Sequence, residues 1–278
     1  MQTLKYRYPK VLTIAGSDSG GAAGIQADLK TISAIGCYGM SVITALTAQN
    51  STGVQGVLGI DPHFVEAQLK SIFSDLQPDA IKIGMVHSPE LARTIAFFLK
   101  GYPDIPVVFD PVMVATSGDR LIEENTVEVI IRELFPLSTL ITPNMDEAAL
   151  LAQIPVNNIN DMLQAGKKII SLGCRHVIVK GGHLKQSQLT SILIDKEFSV
   201  KEYHQNKIDT QNINGAGCTF SSAIASYLAL GNDLLQAVEN AQLFISKAIE
   251  TGKDTRTGTG NGPLNHFFQP SALKKVII

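Results

Sequence analysis

The sequence has few cysteines and aromatic residues and no tryptophan. Its 278 residues include three cysteines, and aromatic side chains make up 6% of the chain. Cys37, Cys174 and Cys218 lie far apart, and none belongs to a C-x-x-C pair. These absences argue against a disulfide-bonded scaffold and against a zinc knuckle. We therefore expect reduced thiols and a cytoplasmic location.

The sequence also lacks an excess of charge of one sign, and it lacks long apolar runs. Lys and Arg number 23 and Asp and Glu 25, which gives a formal net charge of -2, and like charges form no long block. A surface for nucleic acid or anionic lipid is therefore not expected. No apolar run approaches the ~20 residues that cross a bilayer, and residues 1–10 lack the apolar core of a signal peptide. With no nucleic-acid or membrane partner predicted, we expect a small-molecule ligand.

Two common glycine motifs of nucleotide-binding proteins are absent. The glycine-rich stretch 16–24 lacks the G-x-G-x-x-G spacing of a dinucleotide-binding loop, and G-x-x-x-x-G-K-[ST] does not occur. The stretch predicts a flexible turn between a strand and a helix. Asp28, about one turn inside that helix, is a candidate for a polar ligand contact, and a solvated helical carboxylate is the alternative.

Apolar runs of two lengths alternate along the chain. Short runs, several of them apolar on both faces, predict strands, and longer amphipathic runs predict helices. The predicted strands are Val11–Ala15, Val42–Thr47, Ala80–Ile83, Val107–Phe109, Thr139–Ile141, His176–Val179 and Ser191–Ile194. The predicted helices are Gly24–Ile35, Pro62–Leu76, Pro89–Leu99, Glu123–Leu134, Met145–Ala152 and Asp161–Leu172. This alternation is typical of an α/β protein whose mostly parallel central sheet is covered by helices on both faces.

The pattern also bears on domain organisation and on where a site forms. No linker, repeat or low-complexity segment interrupts it, so we expect one domain over residues 1–278. In such a protein, ligand sites gather at the carboxyl ends of the strands. Polar residues that follow the predicted strands are therefore the candidates.

The turn Asn212–Phe220 has the composition of an anion site. Its Gly215–Gly217 segment is small enough for backbone N–H groups to converge, and the helix-forming run Ser221–Leu230 follows. A helix N-terminus attracts negative charge and lowers the pKa of a nearby thiol, so we expect Cys218 to favour the thiolate. Phosphoryl transfer at this turn is the working hypothesis. A glycine turn that caps a core helix beside an inert cysteine is the alternative.

Single side chains at other strand ends suggest a substrate pocket. Gln49 carries an amide that donates and accepts, which suits a heterocycle with an amino group beside a ring nitrogen. Met85 can floor a flat apolar pocket, and Lys180 can neutralise a transferring phosphate. Each has an ordinary alternative, namely a loop amide bonded to backbone, core filler and a solvated lysine.

Oxygen-bearing side chains follow two further strands. Asp110 ends one strand, and Asn144 and Glu147 follow the next. Oxygen ligands of this kind, mostly through water, hold Mg²⁺ beside a nucleotide. Asn144 and Glu147 also have the spacing of a helix-capping pair, and the two roles are compatible.

Eight segments occur in a recognisable order. They are I-A-G-S-D-S-G-G-A-A-G-I-Q-A-D-L-K-T at 14–31, Y-G-M-S-V-I-T-A-L-T-A-Q-N at 38–50, K-I-G-M at 82–85, D-P-V-M at 110–113, T-P-N-x-x-E-A at 142–148, V-K-G-G-H at 179–183, G-A-G-C-T at 215–219 and G-x-G-P-x-N-H at 260–266. This order resembles that of the ribokinase-like superfamily and, within it, the hydroxymethylpyrimidine/phosphomethylpyrimidine kinases of thiamine biosynthesis. The similarity covers nearly the whole chain.

The resemblance implies a three-layer ribokinase-like α/β fold and a kinase that uses ATP and Mg²⁺. Its substrates would be 4-amino-5-hydroxymethyl-2-methylpyrimidine and then the monophosphate of that compound, and such a protein is often a homodimer. At the pyrimidine, the resemblance implies ring contacts from Asp28 and Gln49 and a pocket lined by Gly16, Met85 and Val112. At the phosphates, it implies Cys218 as general base, the amides of Gly215, Ala216 and Gly217 as charge stabilisers, Lys180, Gly181 and Asn144 near the nucleotide, and Asp110 and Glu147 at the magnesium ion.

Two positions depart from the family pattern, and two alternative functions stay open. Asn214 stands where a histidine that contacts phosphate is common, and Thr116 stands where lysine is common, in the flap 113–121. One alternative is a pyridoxal or pyridoxine kinase, and many such relatives carry methionine at the position of Gln49. The other is a non-catalytic pyrimidine or nucleotide sensor. Cys218 argues against the sensor, because a binding module needs no base beside an anion site.

Overall fold

The structure is a computed structural model that describes residues 5–113, 121–123, 125–182 and 188–278. Thr116 and most of the flap 113–121 lie outside the described residues. The strands are β1 (Tyr6–Arg7), β2 (Lys10–Asp18), β3 (Tyr38–Asn50), β4 (Gly53–Gly59), β5 (Ala80–Ile83), β6 (Val107–Phe109), β7 (Leu140–Ile141), β8 (His176–Val179), β9 (Gln188–Asp195), β10 (Val200–Asn206) and β11 (Val276–Ile277). The helices are α1 (Gly24–Ile35), α2 (Pro62–Phe73), α3 (Pro89–Leu99), α4 (Thr126–Glu133), α5 (Met145–Ala152), α6 (Ile159–Ser171), α7 (Ala216–Ala229) and α8 (Leu234–Gly252).

The central sheet is parallel in its middle and antiparallel at its edges. Among the described residues its strand order is β10-β9-β8-β7-β6-β5-β2-β3-β4. The strands from β8 to β3 in this order pair in parallel, whereas β4, β9 and β10 add by antiparallel pairing. The carboxyl ends of the parallel strands therefore meet at one edge of the sheet. A small separate sheet pairs β1 with β11.

Helices cover both faces of this sheet. Successive side chains of a strand point to opposite faces, and β2 shows the result. Leu12 and Ile14 pack in one core with residues of α2 to α6, whereas Val11 packs in the other with residues of α1, α7 and α8. Strands that are apolar on both faces thus fill two cores at once. The predicted three-layer α/β fold with a mostly parallel sheet is confirmed.

The predicted elements all correspond to observed ones, although several ends differ. The helix predicted from Ser221 begins at Ala216, inside the turn that was expected to precede it. The sequence pattern does not predict β4, β10 or α8. The two strands are exposed along much of their length and lie at the edges of the sheet, so they lack the doubly apolar runs of the central strands. None of the described helices is long and apolar enough to cross a membrane.

Candidate active site

A cavity of about 400 Å³ opens at the carboxyl ends of the parallel strands. Its walls include residues at or just after the ends of six strands and the first turn of α7. The strand-end residues are Asp18, Gln49, Met85, Asp110, Asn144 and Lys180, and the turn contributes Gly215, Ala216, Gly217 and Cys218. The parallel topology therefore brings together most of the residues that sequence reasoning selects as a site.

The anion turn requires glycine at its first position. Gly215 precedes α7 with φ +86°, and a Cβ there would overlap the Ala22 carbonyl oxygen of the neighbouring loop. The Ala216 N–H already donates to the Ile213 carbonyl at 3.1 Å. We therefore expect Gly217 and Cys218, rather than Ala216, to offer their N–H groups to an anion at this helix start.

Asp18 holds the loop that packs against the turn. Its carboxylate accepts hydrogen bonds from the backbone N–H groups of Gly20, Ala22 and Ala23 at 2.8–2.9 Å. The side chain is 3% exposed, so these bonds satisfy a buried charge. The Asp-Ser-Gly-Gly sequence at 18–21 therefore has a structural role, because Asp18 holds the loop that packs against Gly215.

Cys218 lies between the N-termini of two helices. It is the third residue of α7, and the backbone N–H of Gly24, the first residue of α1, hydrogen-bonds to its sulfur. Burial nevertheless raises the pKa of the Cys218 thiol to about 11, against the opposing attraction of Lys82. The prediction of a low-pKa thiolate is wrong for the free protein, because desolvation of the sulfur outweighs the favourable helix ends.

Asp110 and Lys180 form an ion pair on the cavity wall. Lys180 Nζ lies 2.8 Å from Asp110 Oδ1, which also accepts a hydrogen bond from Thr142 Oγ1 at 2.8 Å. Burial opposes ionisation of Asp110, but Lys180 and Lys82 together keep its pKa below the usual range. Lys180 is not the solvated lysine of the alternative interpretation, since its side chain is 17% exposed.

Asn144 and Glu147 form the predicted capping pair at the start of α5. The Asn144 side chain accepts from the Glu147 N–H at 2.8 Å, and the Glu147 carboxylate accepts from the Asn144 N–H at 2.7 Å. Both residues also line the cavity. Burial raises the pKa of Glu147 to about 7, although Lys180 acts in the opposite direction.

The oxygen atoms of this wall are compatible with a magnesium ion held partly through water. Asp110 Oδ2 accepts no hydrogen bond from the described residues, whereas Oδ1 is occupied. In the described part of the chain, no group of three or more His, Cys, Asp and Glu side chains could hold a metal by itself. An ion at Asp110 and Glu147 would therefore complete its shell with water and phosphate oxygens, which is how Mg²⁺ is commonly bound.

Gln49 also lines the cavity and is held by two neighbours. Its backbone N–H donates to Ser19 Oγ at 2.9 Å, and its carbonyl accepts from the same hydroxyl at 2.8 Å. Its side-chain oxygen lies 3.2 Å from Thr47 Oγ1. Among the described residues, the Gln49 side-chain NH₂ has no hydrogen-bond acceptor, so this group can bond a ligand. The loop-residue alternative is thus also partly correct, since the Gln49 backbone does anchor the Ser19 turn.

Three further predicted pocket residues, Gly16, Met85 and Val112, line the same cavity. Gly16 leaves space for the Met85 sulfur, which would lie 3.0 Å from a Cβ at position 16. Met85 packs in a small apolar cluster together with Leu121 and Val112. These contacts form an apolar part of the cavity wall. Lys180 and Gly181 were both expected near the nucleotide. Lys180 lines the cavity, but Gly181 does not, and Gly182 lines it instead.

The expected ligand contact of Asp28 is corrected by the structure. Asp28 is 0% exposed and is absent from the cavity wall. Its carboxylate accepts hydrogen bonds from Thr13 Oγ1 and Ser222 Oγ and pairs with Lys82 Nζ at 2.8 and 2.9 Å. With both oxygens occupied, Asp28 supports the site from behind, and it is not the solvated carboxylate of the alternative interpretation.

Lys82 is the site residue that sequence reasoning missed. It lines the cavity although its side chain is 0% exposed. A signal was present, because Lys82 is the one charged residue in the strand Ala-Ile-Lys-Ile. Lysine is almost never fully buried unless it is paired, so a lysine inside such a strand points to a partner and to a specific role.

Solved structures similar to this chain include two kinases. A phosphomethylpyrimidine kinase from Clostridium difficile 630 is 46% identical with a TM-score of 0.76, covering 86% of this chain and 99% of that chain. Bacillus subtilis pyridoxal kinase, solved as an ADP complex, is 36% identical with a TM-score of 0.85, covering 94% of this chain and 98% of that chain. Fold and cavity together define the class, a kinase of the ribokinase-like fold.

The particular family follows from the sequence match. The phosphomethylpyrimidine kinase family model matches residues 18–265, and the chain belongs to this family. A hydroxymethylpyrimidine/phosphomethylpyrimidine kinase of Rhizobium meliloti is 46% identical, over 93% of this chain and 97% of that protein. A probable thiamine biosynthetic bifunctional enzyme of Oryza sativa is 45% identical, over 94% of this chain and 48% of that protein. The chain spans about half the length of the bifunctional relatives it matches.

Proposed function

We propose that this protein uses ATP to phosphorylate 4-amino-5-hydroxymethyl-2-methylpyrimidine and then its monophosphate, which yields the diphosphate for thiamine assembly. One observation carries the proposal: a single cavity joins Gln49, an amide suited to an aminopyrimidine, to the anion turn around Cys218 and to the Asp110–Lys180 pair. The kinase of Rhizobium meliloti supports it, because the similarity extends over nearly the full length of both proteins.

Recognition of the pyrimidine rests on complementary hydrogen bonds and an apolar wall. The exocyclic amine and the adjacent ring nitrogen require one acceptor and one donor side by side, which the Gln49 amide supplies. Ser19 holds the Gln49 backbone and Thr47 Oγ1 contacts its side-chain oxygen, so less conformational freedom is lost on binding. The ring then lies against Met85, whose buried side chain offers apolar, polarisable contact.

The hydroxymethyl group of a ring held in this way faces the anion turn in our proposal. Cys218 accepts the proton of the primary hydroxyl, or of the monophosphate in the second reaction, as the oxygen attacks the terminal phosphorus of ATP. The bond from this phosphorus to the bridging oxygen breaks, and ADP leaves. The Gly217 and Cys218 N–H groups and the Lys180 ammonium stabilise negative charge on the transferring group. A thiolate whose conjugate acid has a high pKa is a strong base, although only a small fraction of the protein molecules carry Cys218 as the thiolate at neutral pH.

Magnesium belongs to the proposal through the oxygen atoms already described. Asp110 Oδ2 and the Glu147 carboxylate would hold the ion and its waters, with Asn144 orienting Glu147 through the capping bonds. A bound Mg²⁺ would neutralise the phosphate charge of ATP. Relatives solved with nucleotides, including the ADP complex of Bacillus subtilis pyridoxal kinase, support a nucleotide in this fold.

Three further expectations stay predictions. They are a homodimer, a cytoplasmic location and a single domain over residues 1–278. Light scattering on the purified protein tests the first.

A pyridoxal kinase is the second candidate, and the structural similarity to Bacillus subtilis pyridoxal kinase favours it. Gln49 argues for the pyrimidine, because pyridoxal has no exocyclic amine to use the second half of the amide. The test is an ATP-consumption assay with the aminopyrimidine, its monophosphate and pyridoxal compared side by side. Turnover of both pyrimidines above pyridoxal supports the proposal, preferential turnover of pyridoxal supports the second candidate, and no turnover with any of them supports a non-catalytic sensor.

A further inference from the structure

A buried ion pair contacts α7 through Ser222, which lies one turn after Cys218 on the same face of that helix. Lys82 in β5 and Asp28 in α1 are both 0% exposed, and Lys82 Nζ lies 2.9 and 2.8 Å from the two carboxylate oxygens. Thr13 Oγ1 donates to Asp28 at 2.6 Å and Ser222 Oγ at 2.7 Å, so four elements of the fold meet at one carboxylate. Both carboxylate oxygens of Asp28 therefore have hydrogen-bond donors.

Lys82 faces the cavity, whereas Asp28 does not. Lys82 is part of the cavity wall, and Gly84 leaves room for its ammonium, since a Cβ at position 84 would lie 2.6 Å from Lys82 Nζ. An ammonium has three N–H donors. The carboxylate of Asp28 accounts for two at most, so at least one N–H is directed elsewhere.

Stability does not explain why this pair is present. Two charges withdrawn from water cost several kcal/mol each, and well-packed apolar residues in their place are often as stable. Ala80, which points to the same face of β5 as Lys82, packs in the apolar core with residues of α1, α7 and α8, so apolar side chains fit this layer. Buried charges with specific partners beside a cleft are frequent in functional sites.

We propose that Lys82 is a positioning residue of this site. Asp28 holds its ammonium in place, and the fixed positive charge of this ammonium stabilises the thiolate form of Cys218. The inference deepens the proposed function, because Cys218 can accept a proton only as the thiolate. It is independent of the identity of the substrate.

The charges around Cys218 come from four elements. Lys82 on β5 and Lys180 after β8 are cationic, and Asp28 on α1 and Asp110 after β6 are anionic. Lys82 is the strongest attraction that opposes the effect of burial on the pKa of the thiol, and Asp28 acts against it. The two members of the ion pair therefore have opposite effects on the same sulfur, although both belong to one hydrogen-bonded unit.

This opposition gives a test that a purely structural role cannot imitate. Iodoacetamide forms a C–S bond with the thiolate and releases iodide, so the alkylation rate of Cys218 at a fixed pH reports the thiolate fraction. Mass spectrometry of the Cys218 peptide would follow this rate in the full-length protein from pH 7 to 10. Lys82→Met is expected to lower the rate about tenfold and Asp28→Asn to raise it about tenfold, because one pKa unit is a tenfold change in thiolate below the pKa.

Two controls separate charge from packing. Thr13→Val and Ser222→Ala each remove a hydrogen bond to Asp28 and leave both charges in place, so their rates are expected to stay within about twofold of the parent. If Lys82→Met does not fold, the double variant Asp28→Asn/Lys82→Met replaces it, and its rate is expected to fall well below that of Asp28→Asn alone.

The outcomes are distinct. A lower rate without Lys82 together with a higher rate without Asp28 supports the proposal, and parallel shifts of the kcat/KM pH profile extend it to catalysis. Equal rates in all variants, or an increase in both, would overturn it, since a loosened site exposes the sulfur whichever partner is removed. Absence of kinase turnover would contradict the proposed function alone, because the alkylation measurement needs no substrate.

Discussion

Lys180 Nζ lies 2.8 Å from Asp110 Oδ1, and this pair closes the polar wall of the cavity. Lys180→Met leaves a buried carboxylate without its cation, so we expect the free energy of unfolding to fall by about 3 kcal/mol. The double variant Asp110→Asn/Lys180→Met removes both charges and should recover a large part of this loss. Urea unfolding measures both values. A double variant no more stable than Lys180→Met would show that the pair is not the source of the loss.

Cys218 is the proposed general base, and its removal tests that role. Cys218→Ala should lower kcat by about 10²- to 10⁴-fold while the pyrimidine still binds, because the sulfur moves a proton and does not hold the ring. Isothermal titration and a coupled ATP assay separate the two effects. As a matched control, Cys37→Ala removes a buried thiol outside the cavity and should leave turnover near the parent. Normal turnover of Cys218→Ala would exclude the assignment.

Gln49 is the proposed discriminator between pyrimidine and pyridoxal. Gln49→Met should weaken binding of the aminopyrimidine by about 10- to 100-fold, because it leaves two polar groups of the ligand unpaired. Pyridoxal binding should change much less. Gln55→Met is the control, since Gln55 is an exposed residue of β4 whose side-chain amide donates to the Gly53 carbonyl of the same strand. Equal losses for both ligands would mean that Gln49 supports the pocket generally.

Gly215 and Gly231 lie at opposite ends of α7. Comparing alanine at the two positions distinguishes the free-energy cost of backbone strain from that of a steric overlap. Both have positive φ, +86° and +88°, but a Cβ at Gly231 meets nothing within 4 Å, whereas at Gly215 it overlaps the Ala22 carbonyl. Gly231→Ala should therefore cost about 1 kcal/mol of unfolding free energy from backbone strain alone. Gly215→Ala should cost clearly more and impair turnover. Equal unfolding midpoints for the two variants would argue against the close contact.

His266 makes the stability of the protein depend on pH. Burial lowers its pKa to about 4, and its Nε2 lies 2.9 Å from Thr219 Oγ1 on α7. Between pH 6.5, its ordinary pKa, and pH 4, the unfolded chain binds a proton at this residue that the folded one does not. Stability is therefore full above about pH 6.5 and falls by up to about 3 kcal/mol as the pH approaches 4.

Replacement of His266 tests this dependence directly. His266→Gln keeps a polar atom near the Nε2 position and should flatten the pH dependence of urea unfolding in that window. The control is His63→Gln, which changes an exposed histidine. A slope that persists in His266→Gln would assign the acid sensitivity to other groups.

Much of the fold could be predicted because its signals are local. Apolar periodicity identifies the central strands and their helices, and the strand-end rule places Gln49, Asp110 and Lys180 near one another. The capping spacing of Asn144 and Glu147 is correct in the structure. The edge strands β4 and β10 escape such reasoning, because their half-exposed sequences resemble loops.

The sequence by itself determined the α/β class, the family and the position of the anion turn, since these follow from composition, order and spacing along the chain. Only the tertiary structure decided the state of Cys218 and the role of Asp28. The pKa of the thiol depends on burial and on charges brought from β5 and α1, and Ser222 reaches Asp28 across 194 positions of sequence. Desolvation and long-range pairing are properties of the packed molecule, and no local pattern contains them.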